Sequence, residues 1–266
     1  MTRIPAVSGQ FYPSDKKRLL EDLGSMIPEC SDKINTVGNV VPHAGYMYSG
    51  SVAGEVYAKI KPRDTYVILS PNHTGLGARF AASAQPWRTP LGTVGIDEGL
   101  LSVIMNKTAL VIEDDTAHSS EHSIEVQLPF IQKTSPSANI VPITVRYGSL
   151  SEYDEVAGAV ASAIKETGKD ATVIASSDMT HFESRESARK KDMMAIRAVL
   201  DLDAEKLVRV VEKNDISMCG YVPAAIMLIC AGKMNAKKAE LIKYCDSGDV
   251  TGDVDRVVGY AGIIVY

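Results

Sequence analysis

The stretch Thr65-Tyr66-Val67-Ile68-Leu69-Ser70-Pro71-Asn72-His73 is an apolar run, then a short polar turn, then an imidazole. Its core, Val67-Ile68-Leu69, is apolar on successive positions and does not alternate. That is the pattern of a strand covered on both faces. The same plan occurs twice more. Val40-Val41-Pro42 leads into His43, and Thr172-Val173-Ile174-Ala175-Ser176-Ser177-Asp178-Met179-Thr180 leads into His181. Further runs at 36–41, 79–84, 139–145, 239–244 and 257–266 also read as strands. Between them lie helical patterns at 14–26, 50–59, 97–106, 121–133, 151–167, 185–200, 204–213 and 222–231. Gly168 stands where a helix C-cap glycine belongs. Ile124, Leu128 and Ile131 form one buried stripe in the helix expected from Glu121. The alternation predicts an α/β fold with a mixed central sheet and helices on both faces. No Gly/Ser tract, low-complexity stretch or repeat divides the chain, so residues 1–266 are expected to form a single domain.

The net charge is −5 and the sequence pI about 5.6. The densest basic run, Arg189-Lys190-Lys191 after Arg185, reads as the solvated face of a helix, and no nucleic-acid partner is expected. No stretch reaches the ~18 apolar residues of a membrane span, and Met1-Thr2-Arg3-Ile4-Pro5 has no apolar signal core. A cytoplasmic protein is expected, with no membrane partner. Cys30, Cys219, Cys230 and Cys245 form no C-x-x-C pair and read as free thiols. Cys230 ends an apolar run and is expected in the core.

There are five histidines. His43, His73 and His181 each follow an apolar strand and a turn. In open α/β sheets, ligands bind beyond the carboxyl ends of parallel strands. If these three strands run parallel, three imidazoles distant in sequence converge on one edge. Imidazole is the commonest metal ligand and the side chain best suited to proton transfer near neutral pH. His43, His73 and His181 are therefore the expected metal ligands. Asp178, three residues before His181, is a candidate to orient that ring or to act as a base; it could also simply cap a turn. His122, at the start of a predicted helix, is a candidate to face the same cleft. His122, Asp178 and His181 are the expected catalytic residues. Pro42-His43-Ala44-Gly45-Tyr46 and Gly50 read as a tight turn opening a helix, with glycines that let backbone approach a ligand. His118, after Glu113-Asp114-Asp115, reads as a surface residue or a satisfied hydrogen-bond donor.

At these residues the chain resembles the Memo family, whose microbial members are also called AmmeMemoRadiSam system protein B. The matching stretches are Ala6-Val7-Ser8-Gly9-Gln10-Phe11-Tyr12-Pro13, Pro42-His43-Ala44-Gly45-Tyr46, Ser70-Pro71-Asn72-His73, Trp87-Arg88-Thr89-Pro90-Leu91-Gly92, Glu121-His122-Ser123-Ile124-Glu125, Ser176-Ser177-Asp178-Met179-Thr180-His181, Cys219-Gly220 and Tyr260-Ala261-Gly262. They occur in family order across almost the whole chain. The resemblance implies a fold like that of the class III extradiol dioxygenases, with His43 and His73 as metal ligands and His122, Asp178 and His181 in the cleft. It implies iron or copper as the metal, with no organic cofactor, and a cysteine near the C-terminus as third ligand. Aligned on Tyr260-Ala261-Gly262, that position holds Val250, which cannot ligate. Cys245, Asp246, Asp249, His181 or a substrate group is then needed as a substitute. The expected function is a metal-dependent oxidoreductase acting on an unidentified substrate. The competing reading is a non-catalytic binding or scaffold protein that kept the dioxygenase-like fold, with a small molecule or peptide in the cleft. The family name further implies association with AMMECR-type and radical SAM proteins. A hydrolase is disfavoured, since no G-x-S-x-G elbow is present.

Overall fold

The computed structural model describes residues 1–266. In chain order the elements are α1 (Lys16–Met26), β1 (Gly38–Val41), α2 (Tyr46–Lys59), β2 (Thr65–Pro71), β3 (Phe80–Ala82), β4 (Trp87–Thr89), β5 (Gly92–Val94), α3 (Glu98–Lys107), β6 (Ile112–Glu113), α4 (Leu128–Thr134), β7 (Asn139–Val145), α5 (Leu150–Thr167), β8 (Ala171–Ser176), β9 (His181–Glu183), α6 (Arg185–Leu200), α7 (Ala204–Lys213), α8 (Tyr221–Lys233), β10 (Ala239–Asp246), α9 (Gly248–Thr251) and β11 (Val257–Val265). Local chemistry sets many ends. Asp15 accepts from the Arg18 N–H at the start of α1. Ser149 and Glu152 form a capping box before α5, which closes at Gly168 in the left-handed conformation, φ 64°.

The main sheet runs β10-β11-β1-β8-β2-β7-β3-β6, with β9 paired to β11. β1, β8, β2 and β7 are mutually parallel, while β11 lies antiparallel between β10 and β1. The sheet is therefore mixed, as expected. Successive residues of β2 enter opposite cores. Val67 and Leu69 pack on the side of α3, α5 and α8, and Tyr66 and Ile68 on the side of α1, α2 and α4. β7, β8 and β11 divide the same way. Helices on both faces are why these strands read as unbroken apolar runs. Each fully buried Val, Leu or Ile contributes roughly 1.5–3 kcal/mol.

Three local expectations are corrected. Helix α2 starts at Tyr46 rather than Gly50, because Gly45 already serves as N-cap. Gly50 and Gly54 then face α1, where a Cβ at Gly54 would sit 2.0 Å from the Met26 carbonyl oxygen. These glycines admit a neighbouring helix, not a ligand. The helix expected from Glu121 begins as an α-helix only at Leu128, after a 3-10 turn at Glu125–Gln127. The buried side chains of Glu121 and Glu125 are bonded elsewhere, and Glu121 competes for its own backbone through Ser123 N–H. Ile124, Leu128 and Ile131 are nonetheless all buried in one core. The strands β4, β5, β6 and β9, two or three residues each, have too short a pattern to read from sequence.

All four cysteines are free and Cys230 is buried. Arg189 and Lys190 lie exposed on α6. No helix is long and apolar enough to cross a membrane.

Candidate metal centre

The register of the parallel strands builds the site. Val41 of β1 pairs with Ser176 of β8, and Leu69 of β2 with Ala175, so the carboxyl ends are level. His43 follows β1 by two residues, His73 follows β2 by two, and Asp178 follows β8 by two. All three therefore stand on one edge. His181 follows β8 by five residues and is carried past that edge into β9, on β11.

One donor atom from each of His43, His73 and His122 lies within 4.8 Å of the others. The ring centroids are 5.2 Å apart for His43 and His73, 5.4 Å for His43 and His122, and 4.9 Å for His73 and His122. The imidazole that joins the two strand-end histidines is thus His122, which the sequence places in the cleft without assigning it as a ligand. His181 is outside the group but lines the same cavity.

The hydrogen bonds determine which ring nitrogens face the group. Gln127 Nε2 faces the carbonyls of Val41 and Pro42, which only accept, and Tyr57 OH donates to Gln127 Oε1. Gln127 Nε2 also donates to Ser176 Oγ at 2.9 Å, and Ser176 Oγ spends its proton on the Ser123 carbonyl at 2.7 Å. Ser176 Oγ can only accept from His43 Nδ1, 3.0 Å away. His43 therefore carries its proton on Nδ1 and keeps the Nε2 lone pair free. His73 Nδ1 lies 2.9 Å from Glu121 Oε1, which as a carboxylate also only accepts. His73 likewise presents Nε2. Such outer partners orient a metal-binding imidazole and raise its basicity.

Glu121 is fully buried and accepts four bonds, from His73 N–H and Nδ1–H and from Ser123 N–H and Oγ–H. Burial opposes its charge, but the His73 hydrogen bond and charge and the Ser123 N–H outweigh it, and its pKa falls. Burial alone would lower His73. The hydrogen bond and charge of Glu121 overcome it and raise this imidazole. Burial, together with the neighbouring imidazoles, pushes His43 well down. Burial lowers His122, although Glu121 pulls the other way. A His43 imidazole kept neutral is ready to ligate.

The thiol near the group is Cys219, whose Sγ is 3.2 Å from His43 Nε2. Because Nε2 is the acceptor, the thiol donates to it. Burial first, then the Asp178 charge, raises this thiol's pKa. Two cis ligands of one ion, at ~2.1 Å for nitrogen and ~2.3 Å for sulfur, stand roughly 3.1–3.6 Å apart. The spacing fits a shared ion. This corrects the reading centred on Val250. That residue is half exposed in α9, and Asp246 and Asp249 are both held by Arg185, at 2.6 and 2.7 Å. The motif Cys219-Gly220 was legible, but not its place beside His43.

Asp178 is buried and accepts from the backbone N–H groups of His43, at 2.8 Å, and Ala44. It fixes the turn that carries His43 and makes no hydrogen bond to His181. Burial raises its pKa, against the pull of those N–H groups. His181 Nδ1 is 2.9 Å from the Ser217 carbonyl, which leaves Nε2 for the cavity. His118, expected at the surface or satisfied, is buried. Its Nε2 donates to the Ala81 carbonyl at 2.9 Å, far from the group in role.

The N-terminal strap closes one side. Glu125, fully buried, accepts from Arg3 Nη1, Ala6 N–H, Val7 N–H and Tyr12 OH. Phe11 is thereby held 4.8 Å from the His122 ring. The resulting cavity is about 400 Å³, with histidines and Asp178 on its floor and Phe11, Met47, Tyr48 and Tyr260 among its walls.

A profile of the family described as "Memo-like protein" matches residues 3–264. The chain belongs to the Memo family. A "MEMO1 family protein" of Methanosarcina acetivorans is 43% identical over 265 residues, covering 99% of this chain and 98% of the relative. A Methanopyrus kandleri relative with the same family name is 42% identical and covers 99% of both chains. One from Methanocaldococcus jannaschii is 40% identical, covering 99% of this chain and 98% of the relative. Of the stretches that carry the Memo resemblance, those at 6–13, 42–46, 70–73, 121–125, 176–181 and 260–262 each contribute a residue to this cavity.

Proposed function

We propose that this Memo family chain is a metal-dependent oxidoreductase whose ion, iron or copper, is held by Nε2 of His43 and His73. His122 and the Cys219 thiolate complete the ligand set. The observation behind the reading is the pair of imidazoles with Nδ1–H committed to Ser176 and Glu121, and Nε2 turned to an open cavity. Imidazole with one thiolate suits iron and copper better than a hard, oxygen-preferring ion. When bound, such an ion supplies one-electron redox chemistry and polarises a substrate atom.

The chain's own residues then have distinct tasks. Glu121 holds His73, and Ser176 and Asp178 hold His43. His181 Nε2 accepts or returns a proton at the substrate. Phe11, Met47 and Tyr260 keep water from the floor and favour a small substrate with an apolar body.

Calorimetric titration of ferrous and cuprous ion, under strict reduction, into wild type and single variants tests the reading. His43→Ala and His73→Ala should weaken binding by roughly 100-fold or more, beyond the loss usual for an outer partner, and His181→Ala should leave it nearly unchanged. Unchanged affinity in both His43→Ala and His73→Ala would refute it. Protein that is purified without chelator, lacks metal and takes up neither ion would point instead to a binding protein with the same cleft.

A further inference from the structure

His73 and Cys219 have a second side. A separate cavity of about 430 Å³ lies against both, walled by Val145, Val222 and Pro223 and capped by Tyr147, which is 74% exposed. No carboxylate lines it, and its one permanently charged side chain is Arg146.

The Arg146 guanidinium has no acidic partner. Nη1 donates to the Gly75 carbonyl at 2.9 Å and Nη2 to the Gly77 carbonyl at 3.1 Å, while Nε is buried without any acceptor. Two neutral carbonyls hold the group in place and leave its charge uncompensated. By contrast, Arg3, Arg79 and Arg185 each meet a carboxylate. The start of α8, whose N-cap Gly220 offers no side chain, borders the same space and adds partial positive charge.

We propose that this second cavity binds a small molecule that carries one carboxylate on a flat, apolar body, with Arg146 as its anion contact. A planar guanidinium matches a carboxylate in geometry. A single uncompensated cation, with His73 already bonded to the Glu121 carboxylate, suits a monoanion better than a dianionic phosphate. The valine and proline walls and the exposed Tyr147 ring supply the apolar and stacking surface, and the volume lies in the range of small-ligand sites. A ligand seated there would lie against Cys219 and His73, whereas His181 lines the other cavity.

The test uses metal-free protein, so its outcome is independent of the metal reading. Benzoate is titrated into protein with ¹³C-methyl valine and followed by NMR. Val145 and Val222 signals should shift, while Val258, in the first cavity, stays still. Benzamide, which lacks the charge, should bind roughly tenfold more weakly or worse, as should benzoate to Arg146→Gln. Arg146→Lys should recover part of the loss. If Arg146→Gln disturbs the 72–77 loop, seen in the ligand-free amides of Gly75 and Gly77, the benzoate–benzamide comparison in wild type still decides. Equal affinity for the two probes, shifts centred on Val258, or inorganic phosphate binding the cavity more tightly than benzoate would each overturn the assignment.

Discussion

Replacing Glu121 with Gln probes the centre through a residue that holds a ligating imidazole rather than the ion itself. The carboxylate accepts four hydrogen bonds while fully buried. An amide oxygen in the place of Oε1 can still face His73 Nδ1–H, Ser123 N–H and Ser123 Oγ–H. The amide nitrogen must then replace Oε2, which accepts the His73 backbone N–H at 2.5 Å. Two donors would meet, and a buried N–H would lose its partner at a cost of ~1–3 kcal/mol. Loss of charge weakens the remaining bonds as well, so about 2–4 kcal/mol of destabilisation is expected. The His73 pKa should also fall, because the hydrogen bond and charge of Glu121 are what raise it. Metal affinity should drop ~10–100-fold, as for other outer partners of ligating histidines. Denaturant unfolding gives the destabilisation, and metal titration of the folded variant gives the loss of affinity. A Glu121→Gln protein within about 0.5 kcal/mol of wild type, binding metal as tightly, would refute the role assigned to this carboxylate.

His118 predicts a pH dependence away from the centre. Burial lowers its pKa from the ordinary 6.5 to about 4, with Arg3, Asp115 and Glu121 nearby, so the unfolded chain binds the proton first. Stability should be unaffected above 6.5 and fall between about 6.5 and 4, by up to ~3 kcal/mol. His118→Gln should show a correspondingly flatter profile in denaturant melts across that window, and an identical profile would contradict the assignment. Two glycines should respond oppositely to alanine. Gly54→Ala should destabilise by ~2–3 kcal/mol through overpacking against the Met26 carbonyl, whereas Gly24→Ala, with nothing within 4 Å of its Cβ in α1, should stabilise by roughly 0.5–1 kcal/mol. Thermal melts of the pair would expose a wrong α1–α2 contact if both changed alike.

A surface-loop reading of His43 would make its replacement nearly free. Its ring is only 2% exposed and bonded to Ser176, so His43→Ala should cost about 1–3 kcal/mol and needs a stability control in any metal titration.

Burial and local geometry were legible in the chain itself. Val67-Ile68-Leu69 and Thr172-Val173-Ile174 record two-sided burial in their composition, and Gly168 records a left-handed cap, because each depends on a residue and its near neighbours. The same logic placed His43 and His73 at strand ends and foresaw a shared edge. Only the tertiary structure decided which side chains complete the group. His122 and Glu121 arrive on a segment held by contacts to Arg3 and Tyr12, more than a hundred residues away in sequence. Cys219 arrives ahead of α8, 176 residues from His43. His181, which shares the strand–turn–histidine pattern, overshoots by three residues and joins β9 instead. A site is set by distances of a few ångströms between segments remote in sequence. Those distances depend on strand register and on buried polar anchors such as Glu125, and no local pattern encodes them.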